Sequence, residues 1–522
     1  MGMGKEELLQ TSDAPLVREA KLAKGFLGVL GFAVISILCS CGGGGGGGPV
    51  NQGLIAPGLS PFVNSSRQAI SAACTANSHV AGRARWTVLL FINAASNLQD
   101  DSWLNVAQMA SVGSDSNVNI VVEWKQSSSN PYFNLAGIQP AAGDIPSFVG
   151  TRRYLISKHS AADVAAITNG DTTSLNIDRL PDPPTNVISS TDPLGTSDMG
   201  DWHVLRDFVQ WGAAAYPADH LAVDVWDHGS AALSVSNNRS VSGVKIGSGK
   251  VTSVQKGGVR TGLKTRSVSF DCNSGSQITT PQLAQALSSL GTAGTQRNDI
   301  LIIDCSLEGT AEVAFECRNV ARVYVATEES PPGQGLAYDL WLTALKASGK
   351  NPCDLGNSIV STFISQPAYV SDFFQSELTM SMTDLTALQN VISALDAFGI
   401  KLRAHRVDSA AIIASARDTS QTFDFSDYKD LYDFADHIRT SGAPAELKQS
   451  AMDLETAMVS STTGSILASQ HGNDRASTHG RATGLTIHFP LPGQLESEYA
   501  TLAISQPGAA PNWGLFLQTQ VQ

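Results

Sequence analysis

Short apolar runs rich in β-branched residues alternate with amphipathic stretches between residues 86 and 327, and this alternation limits the possible folds more than any other feature. The runs cover Trp86–Asn93, Val118–Trp124, His220–Trp226, Asp299–Asp304 and Arg322–Thr327. Amphipathic stretches such as Asp201–Ala215 and Thr280–Leu290 lie between them. Strands and helices in alternation predict an α/β fold with a parallel sheet that is covered by helices on both faces.

The remainder of the chain is mostly helical by pattern until a late strand at Gly484–Pro490. We therefore predict an α/β domain over residues 86–345 and a helical C-terminal region with a closing strand over 346–522. The chain is 42% hydrophobic and 16% charged, which is typical of globular proteins. A net charge of −13 argues against nucleic acid as a partner.

The first 41 residues are typical of an export signal. Lys21 and Lys24 precede an apolar run over residues 25–38 that is too short to span a bilayer comfortably. The following Leu38-Cys39-Ser40-Cys41 resembles the lipobox of bacterial lipoproteins, which implies that Cys41 becomes a lipidated N-terminus after cleavage. A membrane-spanning anchor is the alternative interpretation.

Glycines fill positions 42–48, and a Pro- and Ser-bearing stretch continues to residue 85. This composition predicts a flexible linker over residues 42–85. Cys74 lies in it, and we expect no chemical role for that residue. We predict a protein anchored by lipid to the bacterial envelope, where Gly42 favours the outer membrane over the inner one.

Two of the predicted strands end in polar residues of the kind used in catalysis. One run ends in Asp227-His228-Gly229 and the other in Asp304-Cys305-Ser306. Because the carboxyl ends of neighbouring parallel strands meet at one edge of a sheet, these side chains are expected to lie together. A base beside a nucleophile is the arrangement that covalent catalysis requires.

These motifs lie within a longer pattern that resembles the clostripain family of caspase-like cysteine peptidases. Leu194–Asp201 and Tyr216–Gly229 are similar to the family pattern "MGD … YPADHYALILWDHGGG". Further similarities, in family order across roughly residues 86 to 515, are Ile278–Leu283, Ala326–Gly333, Asp430–Ala435 and Gly484–Pro490. The resemblance implies a caspase-like three-layer α/β/α sandwich with a mostly parallel central sheet, and endopeptidase activity on peptide or protein substrates.

The resemblance also implies roles for particular residues. His228 matches the family's general base, and the amide of Gly229 would help to stabilise an oxyanion. The family's "DACLMG" motif reads Asp304-Cys305-Ser306-Leu307-Glu308-Gly309 here. Asp304 therefore matches the family's aspartate, Cys305 falls on alanine, and Ser306 occupies the position of the nucleophilic cysteine.

Serine at this position leaves three hypotheses open. A serine hydroxyl needs a closely coupled histidine and usually a third group that orients it, and Asp224 and Asp227 are only nearby in sequence. Cys305 is a nucleophile only if the strand end is displaced by one residue, because side chains alternate faces along a strand. The third hypothesis is a catalytically impaired lipoprotein that binds peptides or envelope partners.

For the substrate, the resemblance implies an acidic first pocket that accepts Arg or Lys. The Pro331–Gly335 loop is a candidate wall, although its Gln334 cannot form an ion pair, and Glu328 and Glu329 are candidate acids. Basic residues in the loop over 242–266 are candidate self-cleavage sites, or simply solvated. Calcium is implied as a cofactor by resemblance only, since we find no EF-hand pattern and predict no metal ligands. The sequence leaves the oligomeric state open.

Overall fold

The computed structural model describes residues 62–96, 98–127, 147–183, 197–232, 267–291, 298–347, 350–369, 378–472 and 479–520. All of them lie within one compact unit, Leu54–Gln522. The predicted export signal, Cys41, the glycine run and the basic loop lie outside the described residues. In the part that is described, no helix is long and apolar enough to cross a membrane.

The main sheet has nine strands, and its five central strands are parallel. The spatial order is β1-β12-β10-β9-β8-β5-β2-β3-β4, and the outer strands pair antiparallel. The strands of this sheet are β1 Phe62–Val63, β2 Ala84–Ala94, β3 Val118–Gln126, β4 Gly150–Leu155, β5 Ala218–Trp226, β8 Ile300–Asp304, β9 Val323–Ala326, β10 Thr379–Asp384 and β12 Ile466–His471.

Two small antiparallel pairs lie outside the main sheet. One pairs β6 Ser267–Asp271 with β7 Ser276–Thr279, and the other pairs β11 Tyr428–Asp430 with β13 Thr486–His488. The helices are α1 Ser65–Ile70, α2 Gln99–Val112, α3 Ala161–Thr168, α4 Trp202–Ala215, α5 Thr280–Leu287, α6 Ala311–Glu316, α7 Tyr338–Lys346, α8 Pro352–Ser365, α9 Leu388–Ala404, α10 Ala410–Thr419, α11 Leu431–Thr440, α12 Ala445–Val459 and α13 Pro511–Gln518.

Each face of the sheet is covered by its own apolar layer. Odd-numbered residues of β5 and β8, such as Val225 and Ile303, pack with α4, α5, α6 and the C-terminal helices. Even-numbered residues, such as Ala222 and Ile302, pack with α2, α7 and α8 on the other face. This alternation follows from the two-residue period of a strand, and it makes the protein the predicted three-layer α/β/α sandwich.

The predicted central strands and helices are confirmed to within a few residues, whereas two predicted boundaries are wrong. Residues 346–522 are not separate, because β10 and β12 from that region extend the same sheet. The linker does not reach residue 85, because Phe62 and Val63 pair with β12. Short apolar segments that pair at a sheet edge carry too weak a periodicity to stand out from a linker or a helical region.

Cys74, for which we expected no chemical role, forms a disulfide with Cys353 at the start of α8. The bond joins positions 279 residues apart in sequence and fixes the N-terminal segment to the body of the protein. Three of the described cysteines, Cys272, Cys305 and Cys317, are free thiols. The odd number of cysteines in the body thus leaves more than one unpaired.

Candidate active site

The two polar strand ends lie side by side. β5 and β8 are parallel neighbours, and Trp226 of β5 is paired with Asp304 of β8. His228 and Ser306 each lie two residues beyond this last pair, on the segments that follow strands about 4.8 Å apart. The amide of Asp227 lies 3.4 Å from the carbonyl oxygen of Asp304, which extends the pairing to the edge of the site.

Gly229 brings the backbone of one strand end against the other. A Cβ atom at this position would lie 2.4 Å from the carbonyl oxygen of Ser306 and 2.9 Å from Cβ of Cys305. Real side chains do not approach this closely, so any larger residue here would force the two segments apart. The structure therefore gives a packing reason for the glycine that follows His228.

His228 lies at this junction with its imidazole partly exposed at the surface. Its surroundings remove enough water to lower the pKa of the imidazole to about 4. The ring is consequently neutral at physiological pH and can accept a proton. Its low pKa also makes it a weak base compared with an unperturbed histidine.

Neither aspartate near His228 in sequence is directed to orient it as in a catalytic triad. Asp227 accepts hydrogen bonds from the hydroxyl of Ser96 at 3.1 Å and from the backbone amide of His228. Asp224 accepts a hydrogen bond from the hydroxyl of Tyr338 at 2.9 Å. Burial raises the pKa of both carboxyl groups well above the ordinary range.

Cys305 faces away from the junction. Its side chain is 1% exposed and packs in the apolar layer that includes Val225, whose carbonyl oxygen accepts a hydrogen bond from Sγ at 3.4 Å. Burial raises the pKa of this thiol far above its usual range, which disfavours the reactive thiolate. The regular pairing of Trp226 with Asp304 contradicts the hypothesis of a displaced strand end with Cys305 as the nucleophile.

Glu308 connects the two segments by hydrogen bonds, although its position in the sequence gave no reason to select it. Its carboxylate is 1% exposed, and Oε1 accepts hydrogen bonds from the amides of Ser230 and Ala231, both at 3.0 Å. Burial raises its pKa to about 7 although both bonds act in the opposite direction. The sequence carried one signal for this residue, an acid at the position where the resembling family has methionine.

The backbone is strained on both sides of this contact. Ala231 has φ 61° and Leu307 has φ 65°, which is the left-handed region that favours glycine. Such a conformation costs about 1–2 kcal/mol for each residue with a side chain. Both residues belong to a small apolar cluster with Phe423, Tyr428 and Ala482, so the C-terminal region packs directly on the two segments.

Asp304 points to the other side of the site. Its Oδ2 accepts hydrogen bonds from the amide of Leu336 at 3.1 Å and the hydroxyl of Tyr338 at 3.0 Å. A Cβ atom at Gly335 would lie 2.6 Å from the same oxygen. Burial raises the pKa of Asp304 to about 6. Its carboxylate therefore lies against the Pro331–Gly335 loop, which makes it a candidate for substrate recognition and not for the catalytic chemistry.

Asp101 of α2 is a second acid at this loop, and its spacing in the sequence gave no reason to select it. A Cβ atom at Gly333 would lie 2.7 Å from its Oδ2. Burial, together with the nearby charges of Asp100 and Asp304, raises its pKa to about 7. Asp101 and Asp304 thus contact the two glycines of one short loop and influence each other electrostatically.

The three sequence-predicted substrate residues have other partners. Glu328 is 2% exposed and its Oε2 accepts the amide of Gly484 at 2.9 Å. Glu329 is 7% exposed, and its Oε2 lies 2.8 Å from Nε2 of His479. Gln334 is half-buried within the loop, and its backbone carbonyl oxygen accepts a hydrogen bond from Asn105 at 2.9 Å. Both glutamates serve to join β9 to the C-terminal region.

Within the ranges that the structure describes, no three His, Cys, Asp or Glu side chains are grouped to hold a metal ion. The described residues therefore offer no such cluster as a candidate calcium site. Calcium stays a prediction from the family resemblance.

A base and a hydroxyl at neighbouring strand ends of an α/β/α sandwich are the components of a site for covalent catalysis. Residues 255–499 of the chain match the model of the clostripain family. This match includes Asp304, Cys305 and Ser306 but begins after His228. It confirms the resemblance to the clostripain family that the sequence motifs predict.

Solved structures of similar proteins were also found. A secreted C11 cysteine protease from Bacteroides thetaiotaomicron, in complex with an irreversible peptide inhibitor, is 14% identical and has a TM-score of 0.48, with 83% of this chain and 99% of that chain covered. An inactive zymogen of a C11 protease from Parabacteroides distasonis is 13% identical and has a TM-score of 0.49, with coverages of 82% and 98%. A comparison with curated proteins gives no match.

Proposed function

We propose that the chain is a clostripain-like endopeptidase of the bacterial envelope, in which His228 is the general base and Ser306 is the nucleophile. The position of these two residues, each two residues beyond the last pair of the neighbouring strands β5 and β8, carries the proposal. The close packing of Gly229 on the Ser306 carbonyl supports it, because that contact fixes one strand end relative to the other.

In the proposed reaction the neutral imidazole of His228 takes the proton of the Ser306 hydroxyl while the oxygen attacks the peptide carbonyl. The amides of Gly229 and Ser306 donate to the oxyanion that forms. Collapse of this intermediate breaks the peptide bond, and the leaving amine takes the proton from His228. Water then attacks the acyl-enzyme by the same route and releases the acid.

Serine is a handicap in this site. The Asp227 and Asp224 carboxylates are engaged with Ser96 and Tyr338, and an imidazole with a pKa of about 4 is a weak base toward a hydroxyl. We therefore expect slow turnover. Ser306→Cys should increase it, since a thiol needs less help from the base than a hydroxyl does.

For specificity we propose that Asp304, together with Asp101, favours a substrate with Arg or Lys before the cleaved bond. The support is the position of both carboxylates against the Pro331–Gly335 loop. A bound cation would also favour the ionised form of Asp101, which its raised pKa of about 7 otherwise opposes at neutral pH. Glu328 and Glu329 do not lie in this loop, and their carboxylates contact Gly484 and His479 instead.

We further propose that the protein is exported and lipid-anchored at Cys41. The disulfide between Cys74 and Cys353 supports export, because such bonds persist in oxidising compartments.

The test is turnover of fluorogenic peptides ending in Arg or Lys, with and without calcium and after limited proteolysis. Activity should disappear in His228→Ala and Ser306→Ala and persist in Cys305→Ala and in Cys317→Ala, its buried matched control. A fluorophosphonate, which labels activated serines, should label the wild type and not Ser306→Ala. Labelling of Cys305 by a chloromethyl ketone bearing Arg would identify the wrong nucleophile and overturn the assignment.

A second candidate is a catalytically impaired lipoprotein that retains peptide without cleaving it. The serine at the nucleophile position favours this second function, and so do the hydrogen bonds that Asp227 and Asp224 accept from Ser96 and Tyr338. It predicts no turnover and no fluorophosphonate labelling in the wild type, but binding of Arg- or Lys-terminated peptide that Asp304→Asn weakens.

A further inference from the structure

We propose that Glu308 is a positioning residue, whose carboxyl group holds the segment that follows His228 against the segment that follows Ser306. The inference deepens the proposed function, on which it rests for its catalytic consequence. The geometry itself can be tested without turnover.

Glu308 is anchored in the sheet at its own backbone. Its carbonyl oxygen accepts a hydrogen bond from the hydroxyl of Tyr324 in β9 at 2.8 Å. The amide of the next residue, Gly309, donates to the carbonyl oxygen of Thr327 at 2.7 Å. The carboxyl group therefore extends from a fixed base, so groups that it binds are fixed relative to the central strands.

The segment that Glu308 binds has already left the sheet. β5 ends at Trp226, and the amides of Ser230 and Ala231 donate to Oε1 of Glu308 at 3.0 Å. Ala231 is held there in a left-handed conformation that alanine disfavours. Residues in such conformations persist when their surroundings determine them, and the contact with Glu308 is one such determinant.

His228 and Gly229 lie between the end of β5 and these two anchored amides. Gly229 fits under Glu308 so closely that a Cβ atom would lie 2.7 Å from its Oε1. A release of Ser230 and Ala231 would thus leave the imidazole and the Gly229 amide free to move relative to Ser306. Catalysis depends on that separation, because a proton transfer requires hydrogen-bond distance.

The ionisable groups around Glu308 are neutral or acidic. Cys305 comes from the end of β8, Tyr324 from β9, and Cys317 follows α6. The carboxyl group has a pKa of about 7 in this setting. Since an ionised carboxylate accepts amide hydrogen bonds more strongly, the contact should tighten as pH rises through 7.

The experiment compares wild type, Glu308→Gln, Glu308→Leu and Glu312→Leu in the full chain. Gln keeps an oxygen that accepts both amides, whereas Leu removes it. Glu312 is the matched control, since it is a buried glutamate four residues away that accepts the amide of His488 at 2.9 Å and the hydroxyl of Tyr499 at 3.1 Å. Readouts are kcat/KM, histidine ring signals in NMR, and thermal unfolding.

In Glu308→Leu we expect kcat/KM to fall about 100-fold, the size of loss that a small misplacement of reacting groups causes. The pKa of His228 should rise toward 6.5 as the ring gains water. Glu308→Gln and Glu312→Leu should leave that pKa near 4. If Glu308→Leu does not fold, the NMR signals of Glu308→Gln test the proposal instead. Its amide signals of Ser230 and Ala231 should stay in place but lose the inflection near pH 7 that we expect in wild type.

An unchanged His228 pKa in folded Glu308→Leu would overturn the proposal, as would a wild type in which the Ser230 and Ala231 amides show no inflection near pH 7. Absence of turnover in the wild type with the expected NMR behaviour would instead reject the peptidase function and leave the positioning role intact.

Discussion

Strand β5 carries the same dipeptide at each end, Asp219-His220 at its start and Asp227-His228 beyond its finish, in opposite surroundings. At the start, each group has a partner. His220 stacks on Trp86 with ring centroids 4.6 Å apart, and its Nδ1 lies 3.2 Å from Oδ2 of Asp299. Asp219 lies 2.6 Å from Nδ1 of His79.

At the finish of β5, the carboxylate of Asp227 accepts hydrogen bonds from neutral donors, and its pKa is raised. The imidazole of His228 has lost water, and its pKa is lowered. The interactions at the start of β5 stabilise the fold. At its finish, the surroundings disfavour the charged forms of Asp227 and His228. Groups with perturbed pKa values concentrate at functional sites, because catalysis requires such pKa values although they lower stability.

The largest expected difference between the two ends is catalytic. His228→Gln should reduce kcat/KM by about 10²–10⁴-fold, because the amide cannot accept the serine proton. His220→Gln, the matched substitution, should leave kcat/KM nearly unchanged and lower the midpoint of thermal unfolding. Steady-state kinetics at temperatures below both midpoints would check this. Equal loss of activity in the two variants would remove the distinction.

The difference in unfolding free energy between the two ends should be a smaller effect, and here a substitution at the start of β5 should cost more than one at its finish. Asp299 lies 2.9 Å from Arg322, whose side chain is 17% exposed, so Asp299→Ala leaves a partly buried cation and should cost about 1–3 kcal/mol of unfolding free energy. Asp227→Asn removes a carboxyl whose pKa is already raised by burial, and it should cost less than about 1 kcal/mol at pH 7. Urea unfolding of both variants measures the two costs. A larger loss in Asp227→Asn would contradict the comparison.

The smallest effect concerns pH. Because the pKa of His228 is about 4, the ring should remain an unprotonated base well below pH 6.5, so its own contribution to the acidic limb of kcat/KM should lie near 4, below the contributions of Asp304 and Asp101. The free energy of unfolding should change in the same direction as activity. The lowered pKa of His228 contributes stability above pH 6.5, and this contribution is lost as the pH falls from 6.5 through 4. A pH profile over 3.5–8 tests the limb. An inflection at 6.5 that disappears in His228→Gln would refute it.

The sequence predicted the central strands because five parallel strands are buried on both faces and form unbroken apolar runs. It also predicted that His228 and Ser306 follow neighbouring strands. It did not reveal Glu308 or Asp101, because a contact between loops that are far apart in sequence leaves no periodicity. The same reason applies to β1 and β12, whose pairing depends on an edge that only the folded sheet provides.

If the proposed lipid anchor at Cys41 holds the chain, the disulfide between Cys74 and Cys353 has a mechanical consequence. A pull on the segment before Phe62 would load the two-residue strand β1 at the sheet edge, where hydrogen bonds break one after another. That peeling stops at Cys74, where a covalent bond passes the load to α8 in the body of the protein. The bond therefore sets how much chain a pull can extend before the site is disturbed.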